Sequence, residues 1–271
     1  MILSSASATV GGQVPLLVAV LSALVYAVAA APVTAIERLS AMALPVGWLL
    51  HLMALVLDIG GWGSATPGAR LGFAPVLSMT VWLVIAVHAI ESRLVPLPAV
   101  RRWLAPAGAV VVLVAALFPG ESRQYASPFA PLHFVLGVGS YGLFGAAVLH
   151  AALLDSAERR LRSKSAAHET LGIPLLQLER LTFRFVEAGF AVLSAALLLG
   201  YVSTAQWRWD HKTVFSLLGW LVFAGLLAGR RTRGWRGPRA TRWLYVGVAL
   251  LLLAYVGSRF VFEVLLSRPS A

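Results

Sequence analysis

The chain has 271 residues, of which 59% are hydrophobic and 12% charged, with a net charge of +11 and a mean hydropathy of +0.82. A soluble domain carries about a quarter charged residues, so this composition excludes a water-soluble globular protein and points to an all-α, polytopic membrane bundle. Cysteine is absent, which excludes disulfides, thiol catalysis and thiolate-held metal, so any redox chemistry belongs to a ligand or a partner.

Eight apolar runs meet or approach the roughly 20 residues that a helical crossing needs. They are Val14–Ala31, Leu39–Ile59, Phe73–Ile90, Trp103–Phe118, Leu132–Leu154, Phe183–Ser203, Thr213–Ala228 and Arg242–Leu266, taken together as one membrane domain over 1–271. No Lys or Arg precedes the first run, so it lacks the positive start of a secretory signal and reads as a retained helix. The Lys and Arg of alternate gaps divide sixteen to six. The rich gaps hold Arg38, then 93–102, then 159–184, then 230–242, and by the positive-inside rule they face the cytoplasm, leaving both termini and the poor gaps outside. The basic charge therefore reads as a topology signal at a lipid surface and not as a nucleic-acid footprint.

In chain order, the first helix carries Pro15 near its start and nothing ionisable within the apolar run. The second carries His51 deep in hydrocarbon and Asp58 two turns later on the same face. The histidine at that depth is costly and marks a functional candidate, against the alternative of a neutral imidazole bonded to a neighbouring helix, whereas Asp58, at the outer end, reads as an interfacial solvated acid. The gap 60–72 reads as an irregular outer loop on its glycines and Pro67. His88 and Glu91 close the third helix at the inner face, and the fourth, 103–118, offers no chemistry. Pro131 suits the start of the fifth helix. His133 follows at its outer edge, above Gly137, Ser140, Tyr141 and Phe144 at helical spacing. Small residues below an edge histidine leave a groove for a flat group or for a neighbouring helix. His150 lies 17 positions on, about 26 Å deeper, and cannot share a ligand with His133. The gap 155–182 reads as a cytoplasmic connector, and Arg184 with Glu187 as a local pair. Gly225 and Gly229 form a GxxxG packing signal on the seventh helix. Near the end of the last helix, Arg259 and Glu263 stand at i, i+4 spacing.

The stretch 204–212 is the densest in chemistry, with Trp207, Arg208, Trp209, Asp210, His211 and Lys212 between two long apolar runs. Two tryptophans two apart point to one side of an extended backbone, whereas a helix would splay them. They form a stacking platform, Arg208 and Lys212 can meet carboxylates, and His211 can meet a metal. These are the needs of a haem. The competing reading is an ordinary interfacial belt of tryptophan and basic residues, with Asp210 as the cap of the seventh helix.

Gly189-Phe190, then Trp207-Arg208-Trp209-Asp210-His211-Lys212-Thr213, then Trp220 and Arg230 resemble the haem-handling cytochrome c assembly family of the CcsA type, whose motif runs WGxxWxWDxKET. Leu132-His133 with Ser140-Tyr141 is similar to the helix start that holds an outer haem-ligand histidine in that family. The resemblance is strongest over 131–236, and Leu50-His51, Gly72-Phe73 and Ser78 look like the compact YpjD-type and HemX-type branch. The chain departs from the pattern at Ala205-Gln206, where Trp-Gly opens the motif, and at His211, where Pro is usual. It also has Gly257-Ser258-Arg259 where an outer histidine is expected, and Ala228 stands at the inner one.

The resemblance implies non-covalent haem in an inner-membrane protein of cytochrome c biogenesis, a delivery or holding factor rather than a catalyst, with bond formation left to maturation partner proteins. His133, which matches the family's ligand position, is then one axial ligand to the haem iron; His211 is offered as the second by its side of the membrane and not by the family motif. Trp207, Trp209, Asp210, Arg208 and Lys212 surround the cofactor, and His51 would join only if haem sat deeper. The alternative is a scaffold or regulator of haem synthesis or ion homeostasis that has lost its haem ligands. A secondary transporter is disfavoured by the absence of paired broken helices and the scarcity of intramembrane acids.

Overall fold

A computed structural model describes residues 4–31, 37–63, 68–92, 98–123, 128–162, 175–203 and 209–266. Eight helices within it are long and apolar enough to cross a membrane. They are α1 (Ser4–Ala30), α2 (Glu37–Ile59), α3 (Phe73–Glu91), α4 (Pro98–Leu117), α5 (Ala130–Arg162), α6 (Leu175–Ser203), α7 (His211–Arg233) and α8 (Gly237–Leu252). The last continues through π-helical turns at Leu253–Gly257 and Val261–Leu265 on either side of Ser258–Phe260. Two three-residue strands, β1 (Ala69–Leu71) and β2 (Glu121–Arg123), pair antiparallel with Arg70 opposite Ser122. The chain divides into two compact units, 1–125 and 126–271.

The elements follow the apolar runs but extend past them. Pro15 sits inside α1, not near its start. The fourth helix opens at Pro98, where a missing N–H costs nothing. Residues expected to belong to the 155–182 connector are helical at both ends, since α5 runs on to Arg162 and α6 begins at Leu175. Asp155 fixes that extension by accepting from the Thr241 hydroxyl at 3.0 Å and the Tyr245 hydroxyl at 2.8 Å. The loop expected over 60–72 contains β1, whose partner strand lies some 50 residues away in sequence.

In the first unit, small side chains let α1, α2 and α4 approach closely, with Ala19, Ala23, Ala54 and Val112 buried together. The fully buried Tyr26 ring lies between Gly47 and Gly108, where a β-carbon would come within 3.0 Å and 2.8 Å of it. Trp48 and Trp82 stack at 4.6 Å, and each indole N–H donates to the other's backbone carbonyl at 3.1 Å. That reciprocal pair satisfies two half-buried donors and joins α2 to α3.

In the second unit the core comprises Phe144, Val186, Phe223, Leu244 and their neighbours on α5 to α8. Phe144 and Phe223 stack at 4.0 Å. Gly189 admits the first ring and Gly247 the second, where a β-carbon would lie 3.0 Å and 2.7 Å away. The GxxxG pair does not form a helix seam: space around Gly225 is open, and Gly229 accommodates the Trp235 ring that follows the end of its own helix. The close approach of α7 and α8 is made by Gly219 against Leu251 and by Gly247. Glu187 reaches Arg231 at 3.9 Å and not Arg184, so α6 is paired with α7 instead of with itself. Glu179 receives Arg230 at 2.8 Å and Arg236 at 3.9 Å.

Candidate haem site in the second unit

The start of α5 and the end of α6 meet at His133. Its Nδ1 donates to the Ala196 carbonyl at 2.9 Å, a bond available because that carbonyl lies in a helix whose next turn carries Gly200. A β-carbon at Gly200 would stand 2.9 Å from the imidazole, so the glycine clears the ring's place. The acceptor is a carbonyl, so the proton resides on Nδ1 and the lone pair on Nε2, the tautomer and orientation that a metal-binding histidine takes when a backbone group holds its other nitrogen. One turn along α5, nothing lies within 4 Å of where a Gly137 side chain would begin. The half-buried ring thus has a fixed donor side and open space along its helix, a combination that fits an axial ligand.

Asp210 caps α7 with extended backbone (φ −86°, ψ 167°) and accepts from the Thr213 N–H at 2.8 Å. His211 opens the helix with its ring 5.5 Å from Phe262, and Lys212 places its ammonium 5.5 Å from the Tyr255 ring centroid. The Lys212 charge is within electrostatic reach of His133. Arg259 also lies over Tyr255, at 5.6 Å, and pairs with Glu263 at 3.6 Å, as the i, i+4 spacing predicts. The structure therefore gathers His211 and Lys212 with Tyr255, Arg259 and Phe262 of the π-helical stretch, and puts Lys212 within electrostatic reach of His133. Sequence reasoning paired Arg259 with Glu263 but gave Tyr255 no role. A ring four residues before a cation was the available signal.

Trp209 is 72% exposed beside this cluster. Trp207 and Arg208 lie outside the described residues, so the proposed two-ring platform is described only at Trp209. The other residues of the motif serve packing. Phe190 lies 5.4 Å from the Trp220 ring, and the Trp220 N–H donates to the Ser194 hydroxyl at 2.8 Å. The Tyr141 hydroxyl donates to the Leu251 carbonyl where α8 gives way to π-helical turns. His150 is buried on α5, donates to the Ala146 carbonyl at 2.7 Å and faces Phe185.

His51 belongs to the first unit and is fully buried. Its Nδ1 shares a hydrogen bond with the Tyr26 hydroxyl at 3.2 Å and its Nε2 one with the Ser78 hydroxyl at 2.7 Å. Both ring nitrogens are thus engaged by neighbouring helices. Among the described residues, no group of three or more His, Asp or Glu is placed to hold a bare metal ion.

The family model described as cytochrome C assembly protein matches residues 13–266. An uncharacterised 28.8 kDa protein of Azospirillum brasilense is 31% identical over 79% of this chain and 85% of its own length. The inner membrane protein YpjD of Escherichia coli K12 is 27% identical over 84% of this chain and 88% of its own. The cytochrome c biogenesis protein CcsA of Prochlorococcus marinus is 23% identical over 68% and 70%. No solved structure matches the chain.

Proposed function

Because the chain belongs to the cytochrome C assembly protein family, we propose that it serves cytochrome c biogenesis as a multi-pass inner-membrane protein that holds haem non-covalently at the His133 end of its second unit. The observation that carries this reading is the His133 to Ala196 hydrogen bond, which leaves Nε2 as a lone pair on a fixed ring. His133 would hold the haem iron through its free nitrogen, and His211 at the start of α7 is the proposed second ligand. Trp207 and Trp209 offer ring faces, while Asp210 fixes the start of the helix that presents His211 and Lys212. Arg208 and Lys212, with Arg259, supply cations for carboxylates of the haem edge. Haem is cargo here: the chain binds and orients it, and attachment to a cytochrome is the work of maturation partner proteins.

The test is an absorption spectrum with haemochrome quantitation on protein purified from haem-replete cells, beside His133→Ala, His211→Ala and His51→Ala variants. Loss of the Soret band in His133→Ala, with the band kept in His51→Ala, is the expected result. An unchanged spectrum in His133→Ala overturns the assignment.

A second reading, a scaffold or regulator of haem synthesis or ion homeostasis that has lost its ligands, is favoured by one observation. Arg259, where the family resemblance implies an outer histidine nearby, is bound up with Tyr255 and Glu263. It predicts a colourless protein that stays functional in cells as His133→Ala and Trp209→Ala.

A further inference from the structure

The first unit contains a cavity of about 120 Å³ between α1, α2, α3 and α4. Its walls are largely apolar, including Leu16, Ala54, Ala115 and Ala116, but three polar residues line it: Asp58, Arg70 and Ser78. Asp58 is only 8% exposed, in a helix long and apolar enough to span the membrane. Its Oδ1 is 3.8 Å from Arg70, too far for a hydrogen bond, and its Oδ2 has no hydrogen-bond partner among the described residues. A carboxylate so placed is costly unless something else solvates it. Arg70 is held at this end of the unit by its place in β1 and by its Nε donating to the Gly120 carbonyl at 3.1 Å. Ser78, at the cavity wall, is bonded to His51, and His51 to Tyr26.

We propose that this cavity is an aqueous vestibule, open on one side of the membrane at its Trp62 and Arg70 end, whose water solvates Asp58 and reaches the head of the Ser78–His51–Tyr26 chain. The volume suffices for several waters, and the polar lining gives them partners. A cation site is disfavoured because the Arg70 guanidinium faces the same space. A purely lipid-filled cleft would leave the Asp58 carboxylate without a donor. The titratable and charged groups facing the site are Asp58 from α2 and Arg70 from β1, with His51 and Tyr26 behind Ser78, and the part of α4 that lines it adds only apolar side chains.

The cysteine-free chain permits a direct test. Single variants Ala54→Cys and Ala115→Cys on the wall, Trp62→Cys at the rim and the buried Ala105→Cys as a dry control are treated with the membrane-impermeant reagent 2-sulfonatoethyl methanethiosulfonate. The treatment is made on right-side-out and on inverted vesicles. Expected is reaction of the wall cysteines about tenfold or more faster than Ala105→Cys, whose access requires local opening. It should come from the same side as Trp62→Cys and be lost when Ala54→Leu fills the space beside Ala115→Cys. Adding Asp58→Asn should raise the rate with this anionic reagent, because a like charge leaves the vestibule. Wall cysteines as inert as Ala105→Cys, or reactive only with apolar, membrane-permeant N-ethylmaleimide, overturn the proposal. Should one wall variant fail to fold, the other decides.

Discussion

Asp210 is exposed at the first turn of α7, and the electrostatics of its carboxyl are set locally. Slight burial pushes the carboxyl up, but the Thr213 N–H and hydroxyl, with the charges of Lys212 and His211, outweigh this and hold it below the ordinary carboxylate range. A depressed native pKa means that the contribution is complete above the unfolded value of about 3.9 and is lost as pH falls through the native one. Asp210→Ala is expected to cost about 1 kcal/mol at neutral pH, and its deficit relative to the unmodified chain should close in acid. Asp210→Asn should keep the cap without the acid-dependent step. Melting temperatures in detergent as a function of pH check both. The position of Asp210 as a cap was legible in the sequence, because an Asp before a polar-to-apolar transition has few other uses. The tautomer of His133 was not, since it depends on a carbonyl 63 residues away.

Among the elements, the helices were legible because lipid imposes length and composition on each crossing separately. Their contacts were less so. Gly225 and Gly229 fit a packing signature, yet the glycines at which α7 and α8 meet are Gly219 and Gly247, which carry no motif. Which small residue faces a neighbour is decided by helix rotation, and rotation is set by large partners such as Phe223 and Leu251. Gly247→Leu is therefore expected to destabilise by about 1–3 kcal/mol through overpacking against Phe223, whereas Gly225→Leu should stay within about 0.5 kcal/mol. Thermal melts of the two variants in one detergent decide this. The Arg184 and Glu187 spacing likewise permitted a local pair, but Arg231 on α7 took the carboxylate.

At the scale of the molecule, each of the two units has its own buried core, one of small residues and one of stacked aromatics. The haem proposal lies wholly in the second and the vestibule wholly in the first. Separately expressed fragments 1–125 and 126–271 are expected to insert into membranes, each melting as one cooperative transition in detergent. Rapid degradation of either fragment expressed alone would show that the units are not self-sufficient. The apolar runs could not reveal this division, because lipid-facing and core-facing residues are equally apolar and only contacts separate them. The antiparallel pairing of β1 with β2 makes its own demand on the whole. Leu71 stands opposite Glu121, so the intervening α3 and α4 leave and rejoin the chain at neighbouring points, with Cα atoms about 5 Å apart. That pair of helices is thus an excursion with adjacent ends, and in a circularly permuted chain those two ends could be spliced together by a tight turn.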